Sequence, residues 1–401
     1  MVRSMENREV TIRLNEDYCS KCGLCYSVCP FQAISLDANT SEVSIQVEKC
    51  QVCGLCASIC PSSVIELVYY DDKLLTEHIK AQMQTLGAET LVIMCRGSSP
   101  PSGVILDIVK EQKINKFIPL RVPCVGRLSP EFYLKALTIG VNKIIAIQCE
   151  EDFCRYKKGS EINTRRVLAL QVLLEQLGYE KDVLKIIKNP LQAAYDTDKC
   201  VGCDKCEFIC PYDAIELQSM GTPQVTEVCK GCGACAVVCP HLAIQIRGFE
   251  YETSSQVIQD YWAQAEEKKA EGVSPVVLVF CCQWAEFSAL DSLKHDSLRE
   301  KALIIEIPCL TKLDPSQVLQ ALRLGFDGVL AFGCSKEDCK LTEGRSVTEQ
   351  NISVLERTLE RLNLINRFEV CEGSPRYAGD FDLKLKSFIE RISTLKKTGV
   401  R

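Results

Sequence analysis

The sequence contains little histidine, tryptophan or methionine, with 3, 2 and 5 residues of each type among 401. Its longest apolar runs, such as VVLVFCC at 276–282, are far shorter than the roughly 20 residues that cross a bilayer, so we expect no transmembrane segment. The first residues, MVRSMENREVTIRLNEDYC, contain no apolar stretch typical of a secretory signal peptide. We therefore expect a cytoplasmic protein rather than a secreted one.

Positive charge is not in excess either, because 47 lysines and arginines stand against 53 acidic residues. This balance excludes the basic surface on which nucleic-acid binding depends. No GxGxxG motif follows a predicted strand, no GxxxxGK(S/T) motif is present, and no set of serine, histidine and acid stands out. The sequence therefore indicates no flavin or nucleotide site in this chain and no evident substrate site.

Cysteine, in contrast, is abundant, with 26 residues. Most chains rich in cysteine are small secreted disulfide scaffolds, but this chain is several times too long for that class. Its 46% apolar and 25% charged residues are ordinary for a soluble globular protein. Metal or redox chemistry in a reducing compartment is the remaining use for so many thiols.

One phrase rich in cysteine occurs four times. Each copy has the pattern CxxCxxCxxxCP and is followed by a small apolar run that alternates like a strand. The copies form two pairs, whose members start 31 and 29 residues apart. They read CSKCGLCYSVCPFQAISL from Cys19, CQVCGLCASICPSSVIEL from Cys50, CVGCDKCEFICPYDAIEL from Cys200 and CKGCGACAVVCPHLAIQI from Cys229.

The spacing within these runs favours iron–sulfur clusters over zinc. A zinc site takes two separated pairs of ligands, whereas three cysteines at steps of three, with a fourth before proline, suit a cubane cluster. In the two-cluster arrangement the fourth cysteine of each run binds the other run's cluster. The predicted sets are Cys19, Cys22, Cys25 and Cys60; Cys50, Cys53, Cys56 and Cys29; Cys200, Cys203, Cys206 and Cys239; and Cys229, Cys232, Cys235 and Cys210. Both paired segments resemble bacterial two-cluster [4Fe–4S] ferredoxins.

A second, longer repeat lies between and after those pairs. It alternates short β-branched runs with helical stretches, which predicts a βαβαβαβ unit with a parallel sheet. A cysteine follows each of three predicted strands, and a fourth lies five residues further on. These residues are Cys95, Cys124, Cys149 and Cys154 in the first copy and Cys282, Cys309, Cys334 and Cys339 in the second. All four offsets between the copies are 185 to 187 residues, so the chain is a tandem duplication.

Four thiols that converge at the carboxyl edge of such a sheet are enough for a [2Fe–2S] cluster. Two alternatives stay open for these cysteines. They could pack in the core, as free cysteine often does, or Cys149 with Cys154 and Cys334 with Cys339 could form redox disulfides. We expect the two remaining cysteines, Cys281 and Cys371, to be packing residues.

The predicted fold is α+β and α/β multidomain, with two ferredoxin-like domains of two [4Fe–4S] clusters each alternating with two small parallel-sheet βαβ domains. The expected boundaries are a ferredoxin domain at 1–70, a linker helix at 71–87, a [2Fe–2S] domain at 88–190, a second ferredoxin domain at 191–248, a linker helix at 249–272, a second [2Fe–2S] domain at 273–372 and a C-terminal helix at 373–401.

The later long unit carries a specific resemblance, in FCCQWAEFSALD, PCLTKLDPSQVLQALRLGFDGVLAFGCSKEDCKLTEG and LERTLERLN. With the matching CRGSS and PCVGRLSPEFYLKALTIGVNKIIAIQCEEDFCRYKKG of the earlier unit, it is similar to the iron–sulfur delta subunit family of methyl-viologen-reducing hydrogenase. The resemblance implies a [2Fe–2S] domain docked between a hydrogenase or other dehydrogenase and a flavin-containing heterodisulfide-reductase-like subunit. The family's first motif has a second cysteine three residues after the first, where this chain has Ser98 and Ala285.

These features together predict an electron-transfer subunit with four [4Fe–4S] and two [2Fe–2S] clusters, rather than a stand-alone catalyst. The expected partners are those that the resemblance implies, with no nucleic acid among them. One alternative is a ferredoxin-linked thiol–disulfide reductase that uses the cysteines of 88–190 and 273–372. Another is a scaffold in which the clusters are purely structural.

Overall fold

The chain is described here from a computed structural model, for residues 9–98, 104–218, 222–285, 298 and 300–398. It divides into two compact units. The first comprises Met1–Leu191 with Arg376–Ala378, and the second comprises Gln192–Pro375 with Gly379–Arg401. The last residues of the FCCQWAEFSALD stretch, 286–291, lie outside the described residues.

The first unit begins with short strands and two very short helices. Strand β2 pairs antiparallel with β5, and β3 pairs antiparallel with β4. Strand β1 pairs antiparallel with Tyr377–Ala378, far along the chain. The bounds are β1 Glu9–Val10, β2 Ile12–Leu14, α1 Leu24–Val28, β3 Ile34–Leu36, β4 Val43–Ile45, α2 Leu55–Ile59 and β5 Ile65–Leu67.

A longer helix leads from these hairpins to a four-stranded parallel sheet of order β7-β6-β8-β9. The strands β6 and β8 are buried along almost their whole length, as is typical of a parallel sheet covered on both faces. The bounds are α3 Asp72–Leu86, β6 Thr90–Cys95, α4 Val104–Glu111, β7 Ile118–Val122, α5 Pro130–Thr138, β8 Lys143–Gln148, α6 Gly159–Gln176 and β9 Leu184–Lys188.

The second unit repeats this order. Strand β10 pairs with β13 and β11 with β12, and its parallel sheet has the order β15-β14-β16-β17. The bounds are β10 Ala193–Tyr195, α7 Lys205–Phe208, β11 Ile215–Leu217, β12 Pro223–Val225, α8 Ala234–Val238, β13 Ile244–Ile246, α9 Tyr251–Ala270, β14 Val277–Cys282, β15 Ala302–Ile307, α10 Pro315–Leu324, β16 Gly328–Cys334, α11 Arg345–Arg361, β17 Phe368–Gly373 and α12 Asp380–Thr398. The partner of β1, here called β18 (Tyr377–Ala378), lies between β17 and α12 in the chain but belongs to the first unit.

Turns of 3₁₀ helix connect several of these elements, and two of them directly follow a cysteine at a strand end. The turns span Glu16–Tyr18, Val47–Lys49, Val125–Arg127, Glu151–Phe153, Leu310–Lys312, Thr342–Gly344 and Ile365–Arg367.

The mixed α/β architecture and the parallel sheets predicted from the sequence are confirmed. Helix α6 begins at Gly159, earlier than the apolar pattern from Arg165 indicates, because its first turn buries the polar Ser160 and Asn163 through hydrogen bonds. Helix α12 begins at Asp380, where acidic residues favour a helix N-terminus. Within the described ranges, no helix combines the length and apolarity needed to span a bilayer.

Candidate metal centres

The four CxxCxxCxxxCP runs share one backbone shape. In each run the residue two positions after the first cysteine and the residue before the short helix have positive φ, which bends the chain sharply twice. The first position is Lys21, Val52, Gly202 or Gly231, and the second is Gly23, Gly54, Asp204 or Gly233. The third cysteine of each run lies in the first turn of the short helix that follows the second bend.

Two of the four predicted ligand sets each line a single cavity. One cavity is lined by Cys29, Cys50, Cys53 and Cys56. A second cavity is lined by Cys200, Cys203, Cys206 and Cys239, with the exposed His241 beside them. In both cavities the fourth cysteine comes from the other run, which is the exchange expected from the spacing.

Electrostatic contacts place members of the other two sets together. Burial raises the pKa of Cys235 well above its usual range, and the neighbouring Cys232, Cys229 and Cys210 raise it further. Burial likewise raises the pKa of Cys25, with further contributions from Cys19 and Cys22. Cys210 therefore lies near its predicted set, as does Cys206 of the neighbouring set, and the assignments of Cys210 and Cys60 stay predictions from the repeat.

Backbone amides point at several of these sulfurs. Ala33 N donates to Cys29 Sγ at 3.4 Å, Ala214 N to Cys210 Sγ at 3.3 Å and Ala243 N to Cys239 Sγ at 3.2 Å. Amide donors stabilise thiolates, which are the form that binds iron, and they adjust the potential of a bound cluster. Thiols that face one another around a cavity and accept amide hydrogen bonds fit an iron–sulfur cluster.

The first long unit gathers its four cysteines at the carboxyl edge of the sheet. Cys95 ends β6, while Cys124 and Cys149 follow β7 and β8, and the Sγ atoms of Cys95 and Cys149 lie 3.7 Å apart. Two thiolates on one tetrahedral metal ion, each at about 2.3 Å, lie about 3.8 Å apart. Cys124 is a hydrogen-bonding neighbour of both Cys95 and Cys154, so the four thiols form one group, here called the first quartet.

The second long unit forms an equivalent group, here called the second quartet. Cys282 is a hydrogen-bonding neighbour of Cys309 and Cys334, and Cys334 is a neighbour of Cys339. The four thiols line a cavity of about 240 Å³, whose wall includes Arg345. Both quartets fit a [2Fe–2S] cluster by ligand type and number.

Among the described residues, no group of three or more histidine, cysteine or acidic side chains has the arrangement that would hold a metal ion. The cysteines of an iron–sulfur cluster surround a polynuclear core instead of converging on one ion.

Ser98 stands where the resemblance expects a further cysteine, and its side chain is hydrogen-bonded to the backbone. Ser98 Oγ donates to the carbonyls of Cys95 and Ile147 at 3.0 and 3.1 Å and is completely buried. Its counterpart Ala285 is also completely buried. The leftover Cys281 is fully buried, and Cys371 donates to Glu369 Oε1 at 3.3 Å.

In the first unit, the set of Cys50, Cys53, Cys56 and Cys29 adjoins the first quartet. Ser58, on α2, donates to Gly126 O at 3.1 Å, and a Cβ on Gly126 would lie 2.8 Å from Leu55 Cδ2. A Cβ on Gly54 would lie 2.8 Å from Arg127 Cβ. We call this contact region the first junction.

In the second unit, the same parts meet in a second junction. Cys232 and Cys309 belong to one apolar cluster with Ala234, Leu341 and Val347. A Cβ on Gly233 would lie 2.6 Å from Lys312 Cβ, which matches the contact of Gly54 with Arg127. In each unit, a ferredoxin-like site thus lies directly beside a quartet.

The sequence reasoning missed the basic residues of the junctions. Arg127 and Lys312 each follow the second quartet cysteine by three residues, and they are only 6% and 3% exposed. The signal available was a basic residue at the same position in both copies of the repeat, but a lone charge in a loop ordinarily indicates solvent exposure.

The two units differ in the polar side chains beside the third quartet cysteine. In the first unit, Gln148 and Lys188 form a hydrogen-bonded group with Ser160 and Thr164, and Lys188 Nζ also donates to Cys149 O at 3.5 Å. The strand register pairs Gln148 with Lys188 and, in the second unit, Gly333 with Glu372. Glu372 lines the 240 Å³ cavity and pairs with Arg345.

Comparison with known proteins matches most of the chain to two kinds of family. Residues 91–200 and 277–396, together more than half of the chain, match the family described as methyl-viologen-reducing hydrogenase, delta subunit. Residues 11–61 and 199–243 match families described as 4Fe-4S dicluster domains.

Similar proteins carry two kinds of name. One is a subunit of the ferredoxin/F(420)H(2)-dependent CoB-CoM heterodisulfide reductase of Methanosarcina acetivorans, 35% identical over 44% of this chain and 22% of its own length. Another is the vhc iron-sulfur subunit of an F420-non-reducing hydrogenase of Methanococcus voltae, 28% identical over 31% of this chain and 90% of its own length. The iron-sulfur subunit of an F420-non-reducing hydrogenase of Archaeoglobus profundus is 40% identical over 17% of this chain and 49% of its own length. The chain thus spans about a fifth of the length of the heterodisulfide reductase subunits that it matches.

Proposed function

Because the chain belongs to the methyl-viologen-reducing hydrogenase delta subunit family, we propose that it is an iron–sulfur electron-transfer subunit of a larger oxidoreductase complex. The observation that carries this proposal is the junction in each unit. Leu55, Gly126 and Arg127 hold a ferredoxin-like site against the first quartet, and Gly233 and Lys312 do the same in the second unit. When bound, iron–sulfur clusters at these sites would supply one-electron transfer.

The proposed cofactors are four [4Fe–4S] clusters in the four CxxCxxCxxxCP sets and two [2Fe–2S] clusters in the quartets, with no flavin in this chain. The proposed architecture is the alternation of two ferredoxin-like domains with two parallel-sheet domains. Amide donors at Cys29, Cys210 and Cys239 support three of the four [4Fe–4S] sites. The 3.7 Å distance from Cys95 Sγ to Cys149 Sγ supports a metal in the first quartet.

The proposed partners follow from the names of the relatives and from the family resemblance described in the sequence analysis. A heterodisulfide-reductase-like subunit that contains flavin would lie on one side of the chain, and a hydrogenase or another dehydrogenase would lie on the other. Within this proposal the complex works in the cytoplasm.

Iron content after anaerobic purification tests the proposal. Six clusters require about 20 iron atoms per chain on the cluster types assumed. We expect that content together with a [2Fe–2S] signal in electron paramagnetic resonance. Stoichiometric zinc would overturn the whole proposal, and about 16 iron atoms without a [2Fe–2S] signal would overturn the part that concerns the quartets.

A thiol–disulfide reductase is the second candidate, and the cavity of the second quartet favours it. The cavity reaches Cys334 and Cys339, which are hydrogen-bonding neighbours. Two electrons from the ferredoxin-like sites and two protons from water would convert a disulfide between them into two thiols. Mass spectrometry of the alkylated chain should find Cys334 labelled only after reduction if this candidate is correct, whereas a cluster in the quartet would protect it in both states.

A further inference from the structure

Arg127 lies buried between two proposed cluster sites of the first unit. Its side chain stem packs against Gly54, which follows Cys53 in the chain, and its backbone N–H donates to Cys124 O at 3.3 Å. Nη2 donates to Tyr69 O at 2.9 Å, and the guanidinium lies 5.1 Å from the centre of the Tyr70 ring. The residue therefore contacts the ferredoxin-like part and the quartet part of the unit at once.

Lys312 occupies the equivalent place in the second unit. Its stem packs against Gly233, which follows Cys232, and its backbone N–H donates to Cys309 O at 2.9 Å. Burial lowers the pKa of Lys312, and the charges of Asp314, Cys235, Glu250 and Glu252 oppose that effect. The tandem copies differ at many positions of this region, yet both keep a buried cation at this one.

Burying a positive charge costs free energy unless negative charge lies nearby. Burial lowers the pKa of Arg127, and the charges of Tyr70, Tyr156, Cys53 and Cys124 oppose that effect. Cys53 and Cys124 belong to different cluster sites, so the charge of Arg127 acts on both. An arginine stays protonated even when it is buried, which makes it a permanent charge at this place.

We propose that Arg127 and Lys312 are positioning residues that raise the reduction potentials of the clusters on both sides of each junction. The inference rests on the proposed function and adds the residues that adjust it. A cluster becomes more negative when it accepts an electron, so a nearby buried cation stabilises the reduced form. The same charge reduces the repulsion between two negatively charged clusters at neighbouring sites.

The test is a redox titration of the anaerobically purified full chain, followed by electron paramagnetic resonance. Arg127→Gln removes the charge and keeps a donor for Tyr69 O, whereas Arg127→Lys keeps the charge. For Arg127→Gln we expect about half of the [2Fe–2S] signal to move to lower potential. At a fixed potential the ratio of reduced to oxidised centres should fall about tenfold, which corresponds to about 59 mV for one electron.

Lys312→Gln and Lys312→Arg repeat the comparison in the second unit, where the other half of the signal should move. A matched control is Arg165→Gln, which removes a positive charge from a side chain that is 77% exposed. Its potentials should equal those of the wild-type chain, because a charge in water is screened.

The outcomes separate the charge from a purely structural role. The inference would be overturned if Arg127→Gln and Arg127→Lys shifted the potentials equally. It would also be overturned if Arg127→Gln and Lys312→Gln kept full iron content and showed unchanged potentials. If Arg127→Gln loses iron while Arg127→Lys retains it, the charge is needed to hold both clusters, which supports the inference; loss of iron in both variants counts against it. Wild-type clusters that cannot be reduced would instead contradict the proposed function.

Discussion

Gly159 and Gly344 occupy equivalent positions in the two units, at or just before the first residue of α6 and of α11. A Cβ on Gly159 would lie 2.2 Å from Cys124 Sγ and 3.4 Å from Cys154 Sγ. A Cβ on Gly344 would lie 3.0 Å from Thr311 Oγ1, a smaller conflict with a side chain that can rotate. The first quartet therefore depends on its glycine more strictly than the second.

Gly159→Ala should prevent iron from binding in the first quartet, because the new methyl group forces Cys124 Sγ to move by about an ångström or more. That displacement is about half of a metal–sulfur bond length, which is about 2.3 Å, so the sulfur can no longer bind the metal. We expect a loss of about two iron atoms per chain and about half of the [2Fe–2S] signal. Gly344→Ala is the matched control and should retain both. Full iron content in Gly159→Ala, or an equal loss in the two variants, would contradict this role of Gly159.

At the residue scale, the thiols could be predicted from the sequence and their surroundings could not. The CxxCxxCxxxCP repeat is a local pattern, and the two-cluster ferredoxin arrangement applied to it placed Cys29 with the run that starts at Cys50. Arg127 carries no such pattern, because its burial depends on Gly54 and Tyr70, which lie far away in the chain. Long-range packing of this kind leaves no periodic trace in a sequence.

The short helices α1 and α2 are almost identical elements with different surroundings. Each begins after a glycine with positive φ, at Gly23 and Gly54. A Cβ on Gly23 would meet only Leu36 Cδ2, at 3.4 Å, whereas a Cβ on Gly54 would lie 2.8 Å from Arg127 Cβ and 3.0 Å from Leu67 Cδ1. Helix α2 belongs to the first junction and α1 does not share its close contact.

Gly54→Ala should therefore destabilise the chain more than Gly23→Ala. Both variants force a left-handed conformation on alanine, at a cost of about 1–2 kcal/mol. Only Gly54→Ala adds a clash, which costs about 1–3 kcal/mol more. The urea concentration at which the visible absorbance of the clusters disappears should fall further for Gly54→Ala, and equal midpoints would show that the first junction is not tightly packed.

At the scale of elements, the sequence predicted the parallel strands well because their apolar runs are continuous. The run KIIAIQC corresponds to β8, whose residues Ile144 to Ile147 are completely buried. The three-residue strands β2, β4, β10 and β12 were not predicted, since so short a segment shows almost no alternation. Helix α6 starts earlier than predicted because its first turn is polar, and its burial rests on hydrogen bonds rather than on apolar contact.

The whole molecule is a duplication whose two quartets have diverged in their access to solvent. Cys95, Cys124 and Cys149 are 1–3% exposed. In the second quartet Cys282 is 1% exposed, whereas Cys309 and Cys334 are 6% and 8% exposed beside the 240 Å³ cavity. Gly333 stands at the register position of Gln148, and the space beside it is taken by Leu310, which also lines the cavity. The duplication was visible in the sequence, but the cavity could not be predicted, because its wall joins residues that lie far apart in the chain.

An iron chelator should therefore remove iron from the second quartet about tenfold faster than from the first. A tenfold difference in rate needs a difference of only about 1.4 kcal/mol in activation free energy. We expect two phases in the loss of the [2Fe–2S] signal, with the fast phase absent in Cys309→Ser. A single phase in the wild-type chain would mean that the cavity does not admit the chelator.

The pairing of β1 with β18 makes the first unit discontinuous in sequence. Thr11 N and Thr11 Oγ1 both donate to Arg376 O, at 2.9 and 3.1 Å, next to the pairs Glu9–Ala378 and Val10–Tyr377. A ribosome must therefore synthesise nearly the whole chain before β1 finds its partner. Until then β1 stays unpaired during translation, so the first unit is completed only after residues 192–375 of the second unit have been made.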